Sequence, residues 1–174
     1  MASQRCNAII SVLFVVFGGP AIVLLYLPLW ITRFHVPAGE PAWRMTLSMA
    51  LIAAGLVPLL ESIVRFVRVG LGTLVPTAPT EHLVVSGFYR YVRNPMYVGV
   101  VAAVIGETLL FKSRGMAAYA VIIWVVIHLF ICFYEEPTLA RRYVGQYAVY
   151  KRHVPRWLPR LTPWKGNAGG NLSA

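Results

Sequence analysis

Residues 96–136 read MYVGVVAAVIGETLLFKSRGMAAYAVIIWVVIHLFICFYEE. Two apolar runs, 96–111 and 116–134, flank the polar link Lys112-Ser113-Arg114-Gly115. A membrane-crossing helix needs about 20 mostly apolar residues. The second run meets that almost without a polar interruption. The first is shorter and carries Glu107 near its far end. So short a link joins only neighbouring helices, so the two runs predict an antiparallel helical hairpin.

Outward from this hairpin lie two more candidate spans. One covers about residues 7–30 and contains Gly18-Gly19-Pro20, which should kink it. Its apolar run is too long for a signal-peptide core, so it reads as a retained helix. The other covers about 43–67, with Pro58 and Glu61 inside. The expected fold class is therefore all-α integral membrane. It has about four transmembrane helices plus a C-terminal interfacial amphipathic helix. Residues 1–164 form one membrane domain, and 165–174, rich in Gly and Asn, form a disordered tail.

Composition agrees. Of 174 residues, 58% are hydrophobic and 13% charged, about half the charge of a soluble domain. That excludes a water-soluble globule and a disordered chain. Sixteen Lys and Arg face six acids, all of them Glu, for a net charge of +10. In so apolar a chain this charge points to membrane lipids as partners, and to no nucleic acid. No obligate protein partner is evident. Twelve cationic residues, from Arg5 to Lys165, fall on one side of the four spans. Arg33, Arg44, Lys112 and Arg114 fall on the other. The positive-inside rule then makes a multi-pass protein with both termini and the active site cytoplasmic. Cys6 and Cys132 form no disulfide framework, and the four histidines show no metal spacing, so no metal is expected.

Two cytoplasmic stretches carry candidate chemistry. In the first, Asn94-Pro95 should start the third helix, with Asn as N-cap and Pro at N1. Arg93 precedes that helix start, and together they suit a carboxylate or phosphate. In the second, Glu135 and Glu136 end the fourth helix, where the macrodipole disfavours anions, and Pro137 should stop it. The hairpin brings Arg93 near this Glu pair. The plain reading is a structural ion pair. The sharper one is a site for a zwitterion, with the acids on its cationic part and Arg93 on its anionic part. Ionisable groups at membrane depth favour the second. Further on, Leu139, Tyr143, Tyr147, Tyr150 and Val154 share one helical face, so residues 138–153 predict an interfacial helix. Val154-Pro155-Arg156-Trp157-Leu158-Pro159-Arg160 follows as a rigid aromatic-basic segment. His128 reads as a packing residue and Cys132 as a small buried hydrophobe.

The motifs Leu83-Val84-x-x-Gly87-x-Tyr89-x-x-x-Arg93-Asn94-Pro95-x-Tyr97-x-Gly99, Glu135-Glu136-x-x-Leu139, Gly145-Gln146-Tyr147 and Val154-Pro155-Arg156 together resemble the isoprenylcysteine carboxyl methyltransferase family. The related membrane phospholipid N-methyltransferases share the plan. The resemblance covers about residues 70–160. It implies S-adenosylmethionine as cofactor and methyl transfer to a lipophilic small-molecule or prenylated acceptor entering from the bilayer, most simply a carboxylate of an isoprenylcysteine-like substrate. It also implies that His82, Leu83, Val84, Gly87, Tyr89, Arg93, Asn94, Pro95, Tyr97, Glu135 and Glu136 hold the cofactor. Catalysis falls to Arg93, Glu136 and Arg156, and acceptor binding to Tyr147 and Arg156. Where the family often has His, this chain has Asn94, which keeps hydrogen-bonding capacity but cannot titrate. A carboxylate acceptor needs no base, whereas an amine must be neutral and would use Glu136 to take its proton. The alternatives are a phospholipid N-methyltransferase and an NADPH-dependent membrane lipid or sterol reductase.

Overall fold

A computed structural model describes residues 19–33, 35–69, 83 and 85–166. Every regular element among them is helical. Helix α1 covers Gly19–Thr32 and α2 covers Ala42–Val69. A 3-10 turn, Gly87–Arg90, leads to α3, Pro95–Phe111. Helix α4 runs continuously over Arg114–Arg142, and α5 covers Gln146–His153. Ala42–Val64 and Arg114–Arg142 are long and apolar enough to cross a membrane, while α1 and α3 are shorter apolar helices. Large apolar side chains stand exposed along α4, among them Val121, Ile122, Val126 and Phe133. In water that surface would be unfavourable, and in lipid it is the expected one.

Helix α2 agrees with the expected 43–67 and α3 with 96–111. Residues 7–18 of the first expected span, and with them Gly18, lie outside the described residues. Within α1 the irregularity is a π-helical stretch, Ile22–Tyr26, in which the Leu27 N–H bonds the Ile22 carbonyl. In that register Pro28 would donate to the Val23 carbonyl, but proline has no N–H. The Tyr119 hydroxyl supplies the missing donor, at 2.8 Å.

Helix α4 differs more from expectation. It begins at Arg114, so the link shrinks to Lys112-Ser113, with Lys112 in the left-handed region at φ 48°. It also passes through Pro137. The reason is a second π-helical stretch, Ile131–Glu135, after which α-helical bonding restarts. Pro137 then sits in the first turn of the restarted segment, where its missing N–H leaves no gap. The helix expected over 138–153 is two helices, because the chain turns at 143–145 with Gly145 at φ 81°.

The chain divides into two compact units, Met1–Pro79 with Met96–Val125, and Thr80–Pro95 with Val126–Ala174. In the first, α2 and α3 meet along a seam of small residues. A Cβ added at Gly55 would lie 2.4 Å from the Gly99 carbonyl oxygen and 2.7 Å from the Ala103 nitrogen. One added at Gly106 would lie 2.8 Å from the Ser48 carbonyl oxygen. Lipid tails give apolar helices no hydrophobic reason to pair, so such backbone approach supplies the packing. Glu40 accepts from Arg44 and from Lys112, the latter at 3.0 Å. Arg44 also donates from Nε to the Leu109 carbonyl at 2.9 Å, satisfying an orphan carbonyl of the last turn of α3. The lysine bond, joined by the Arg44 charge, holds the Glu40 carboxyl below its ordinary range despite partial desolvation.

Gly55→Val therefore forces backbone apart, and overpacking of this kind costs about 1–3 kcal/mol. Thermal unfolding in detergent should show that loss. Gly19→Ala, where an added Cβ meets nothing within 4 Å, should leave the transition in place.

Candidate functional site

The site belongs to the second unit, and its frame is a pair of antiparallel backbone segments. The Arg93 N–H donates to the Pro155 carbonyl at 2.8 Å, Arg160 N–H to Tyr91 at 3.0 Å, and Trp164 N–H to Arg90 at 2.9 Å. Arg90 returns a bond from Nε to the Trp164 carbonyl, at 2.6 Å. Residues 154–166 thus form a strap along 90–93. Gly87, at φ 57°, starts the turn that feeds this segment, a conformation open to glycine.

Beneath the strap lies a tyrosine core. Tyr143, Tyr147, Tyr150 and Val154 are buried together, with Leu83, Val85, Leu139 and Trp164 packed on them. The five residues expected to form the apolar face of an interfacial helix are all here. The sequence periodicity located one apolar face, but protein covers it rather than lipid. Burial pushes the Tyr150 phenol well above its ordinary range, and its hydroxyl donates to the Tyr89 carbonyl at 2.7 Å.

On this core, three cations converge on one acid. Glu136, 6% exposed, accepts at Oε1 from Arg93 Nη1 at 2.8 Å and from Arg156 Nε at 2.7 Å. Its Oε2 accepts from Arg156 Nη2 at 3.0 Å, and Lys151 Nζ lies 3.2 Å away. Arg156 is therefore a two-pronged partner, the strong form of this bond, and that bond raises its already high pKa. Arg93 also donates to the Tyr147 hydroxyl at 3.3 Å. Burial, and then the Glu136 charge, raise the Tyr147 pKa. The Arg93 Nε is buried and has no hydrogen-bond partner. A cavity of about 280 Å³ opens beside the cluster, lined by residues that include Cys132, Glu136, Gly145, Tyr147 and Lys151.

Of the residues expected from the sequence, Arg93, Glu136, Arg156 and Tyr147 meet directly. Asn94 is buried beside them and its amide donates to the Arg156 carbonyl at 3.4 Å. Pro95 is buried, Glu135 is half-buried, and Leu83 and Tyr89 serve the tyrosine core. Tyr97 lies on α3 in the other unit. His82 and Val84 lie outside the described residues. Lys151 and Cys132 went unrecognised in the sequence, although helical spacing marks both. Lys151 is four residues after Tyr147, and His128, Cys132 and Glu136 recur at intervals of four. Cys132 is more than a buried hydrophobe, since Arg156 Nη1 lies 3.1 Å from its sulfur. His128 is held too. Trp157 Nε1, a donor only, bonds His128 Nδ1 at 3.2 Å. In the neutral ring the proton then sits on Nε2, which faces the Cys132 sulfur at 3.6 Å.

Glu136→Ala leaves two arginines without their counter-charge, and breaking a buried pair costs about 3–5 kcal/mol. Lys151, half exposed, contributes less than about 1 kcal/mol. Chemical unfolding of the two alanine variants should separate them by that margin. Alkali should act through Tyr150. Folding favours its neutral form, so its contribution is whole below about pH 10 and is lost as pH rises through the higher folded value. Tyr150→Phe should flatten that alkaline loss in a pH series of unfolding midpoints.

Neither the curated proteins nor the solved structures give a match. A family model does: that of the phospholipid methyltransferases matches residues 43–146. The match takes in α2, α3, α4 and the Gly145 turn, so it begins well before the motifs that suggested methyl transfer. With more than half of its length matched, and with Arg93 and Glu136 bonded inside the matched region, the chain belongs to the phospholipid methyltransferase family, a family of membrane methyltransferases.

Proposed function

We propose that this protein spans the membrane four times and transfers a methyl group from S-adenosylmethionine to the carboxylate of a lipophilic, isoprenylcysteine-like acceptor at the cytoplasmic face. The observation that carries this reading is the charge balance at Glu136. Three cations, Arg93, Lys151 and Arg156, surround one carboxylate. Even with Glu135 counted beside Glu136 the surplus is positive, the Arg93 Nε is unpartnered, and a cavity lined by Glu136, Tyr147 and Lys151 is of a size to hold part of a ligand. The residues present thus fit the cofactor through its carboxylate end, and they fit an anionic acceptor.

When bound, the cofactor supplies a methyl group already activated by its sulfonium. The protein's part is then alignment, which can supply about 7–11 kcal/mol of the barrier. Arg93 and Arg156 orient carboxylate oxygens, Glu136 fixes both guanidinium planes, and the tyrosine core with Trp164 keeps water from beneath them. Both Glu136 oxygens are already committed to cationic donors. This favours a carboxylate acceptor, which needs no base, over an amine, which would need Glu136 to accept its proton. Phospholipid N-methylation remains the second reading, because the matched family is named for phospholipids.

Calorimetric titration of the detergent-purified protein with S-adenosylhomocysteine should show saturable binding. Arg93→Ala should weaken it at least tenfold while helical circular dichroism is retained. Methylation assays should then find transfer to prenylated carboxylates and none to amine phospholipids. Absence of binding by folded protein defeats the cofactor assignment, and transfer to amines alone defeats the acceptor assignment.

A further inference from the structure

We infer that the strap formed by residues 154–166 dips into the bilayer beside α4 and clamps the second unit to anionic lipid. Three observations support this. The first is depth. Arg156 reaches Cys132 and Glu136, and the next residue, Trp157, bonds His128 and stacks near it, with ring centroids 6.1 Å apart. Glu136 and His128 are eight positions apart on α4, about 10 Å once the π-helical stretch between them takes up one residue's rise. The strap therefore descends along the apolar part of a helix suited to crossing a membrane. The second is exposure at that depth. Leu158 is 80% exposed and Leu161 fully exposed, and on the same stretch of α4 Phe133 is 79% exposed. Water would leave all three unfavourably solvated, whereas lipid covers them.

The third observation is charge. No acidic residue follows Glu136 anywhere in the chain. Exposed Arg152 precedes the strap, and half-buried Arg160 and exposed Lys165 lie on it. Cations bordering an apolar tip match a leaflet of anionic lipid, in which the tip enters the acyl boundary and the cations meet phosphates. Part of the strap's backbone suits this position as well. Chain at membrane depth must satisfy its polar groups within the protein. Pro155, Pro159 and Pro163 bring no N–H to satisfy, and the Arg160 and Trp164 N–H groups bond Tyr91 and Arg90. Because the strap also carries Arg156, lipid at its outer side steadies the guanidinium that grips Glu136 on its inner side.

The test uses the full chain in nanodiscs, with a diazirine analogue of leucine at position 161 and amide exchange read at Arg160 and Trp164. In discs containing phosphatidylglycerol, lipid adducts at 161 should outnumber water-quenched label. The two amides should exchange at least fivefold more slowly there than in phosphatidylcholine discs. Leu158→Asp with Leu161→Asp touches only exposed side chains, so it should retain helical circular dichroism yet abolish the slowing. Arg152→Gln with Lys165→Gln should reduce the preference for anionic lipid. Label quenched by water, label captured by protein, or exchange that ignores lipid charge would each overturn the inference. None of these readouts depends on the cofactor or the acceptor.

Discussion

The grip of Arg93, Arg156 and Lys151 on the single carboxylate of Glu136 is the constraint on which the second unit turns. An ionised group this deeply buried persists only when paired and hydrogen-bonded. Each partner arrives from a different segment: Arg93 ahead of α3, Lys151 on α5, and Arg156 on the strap. The carboxylate thus ties the segment ahead of α3, 43 residues away in sequence, to the chain that follows α4. The tyrosine core beneath, with the Tyr150 hydroxyl on the Tyr89 carbonyl, fixes where those segments can lie. Acid and core are complementary, one setting position by charge and the other by shape.

In the first unit the organising device is apolar. Gly55 and Gly99 let the backbones of α2 and α3 touch, and the Glu40–Arg44–Lys112 network ties the start of α2 to the end of α3. Small residues supply contact along the helices, and charge supplies it where the helices end. The same division of labour recurs in the strap, with Leu158 and Leu161 outside and Arg156 within.

Much of this was legible in the sequence. Apolar run lengths gave α2 and α3 nearly to the residue, and a charge argument about the helix end put Arg93 beside Glu136. The face of Leu139, Tyr143, Tyr147, Tyr150 and Val154 was also visible, but periodicity reports that a face is apolar and not what covers it. Protein covers this one. The continuation of α4 past Pro137 was hidden because it depends on a change of hydrogen-bond register, which leaves no mark in hydropathy. Lys151 and Cys132 were missed although their four-residue spacings were present. Each becomes significant only once Arg156, brought back by the strap, is in place.

The π-helical stretch Ile131–Glu135 has a consequence for how this helix tolerates change. A turn of that kind holds one residue more than an α-helical turn, so it amounts to a single-residue insertion kept in place. Everything beyond it is turned back by about 100° and set back by about 1.5 Å relative to an uninterrupted helix of the same sequence. Held in plain α-helical register with no residue lost, the stretch 131–135 would be more regular and locally more comfortable. The Glu136 carboxylate would then point away from both arginines. Regularity and assembly are therefore opposed along this stretch, and the irregular turn marks where the chain has given up the former to keep the latter.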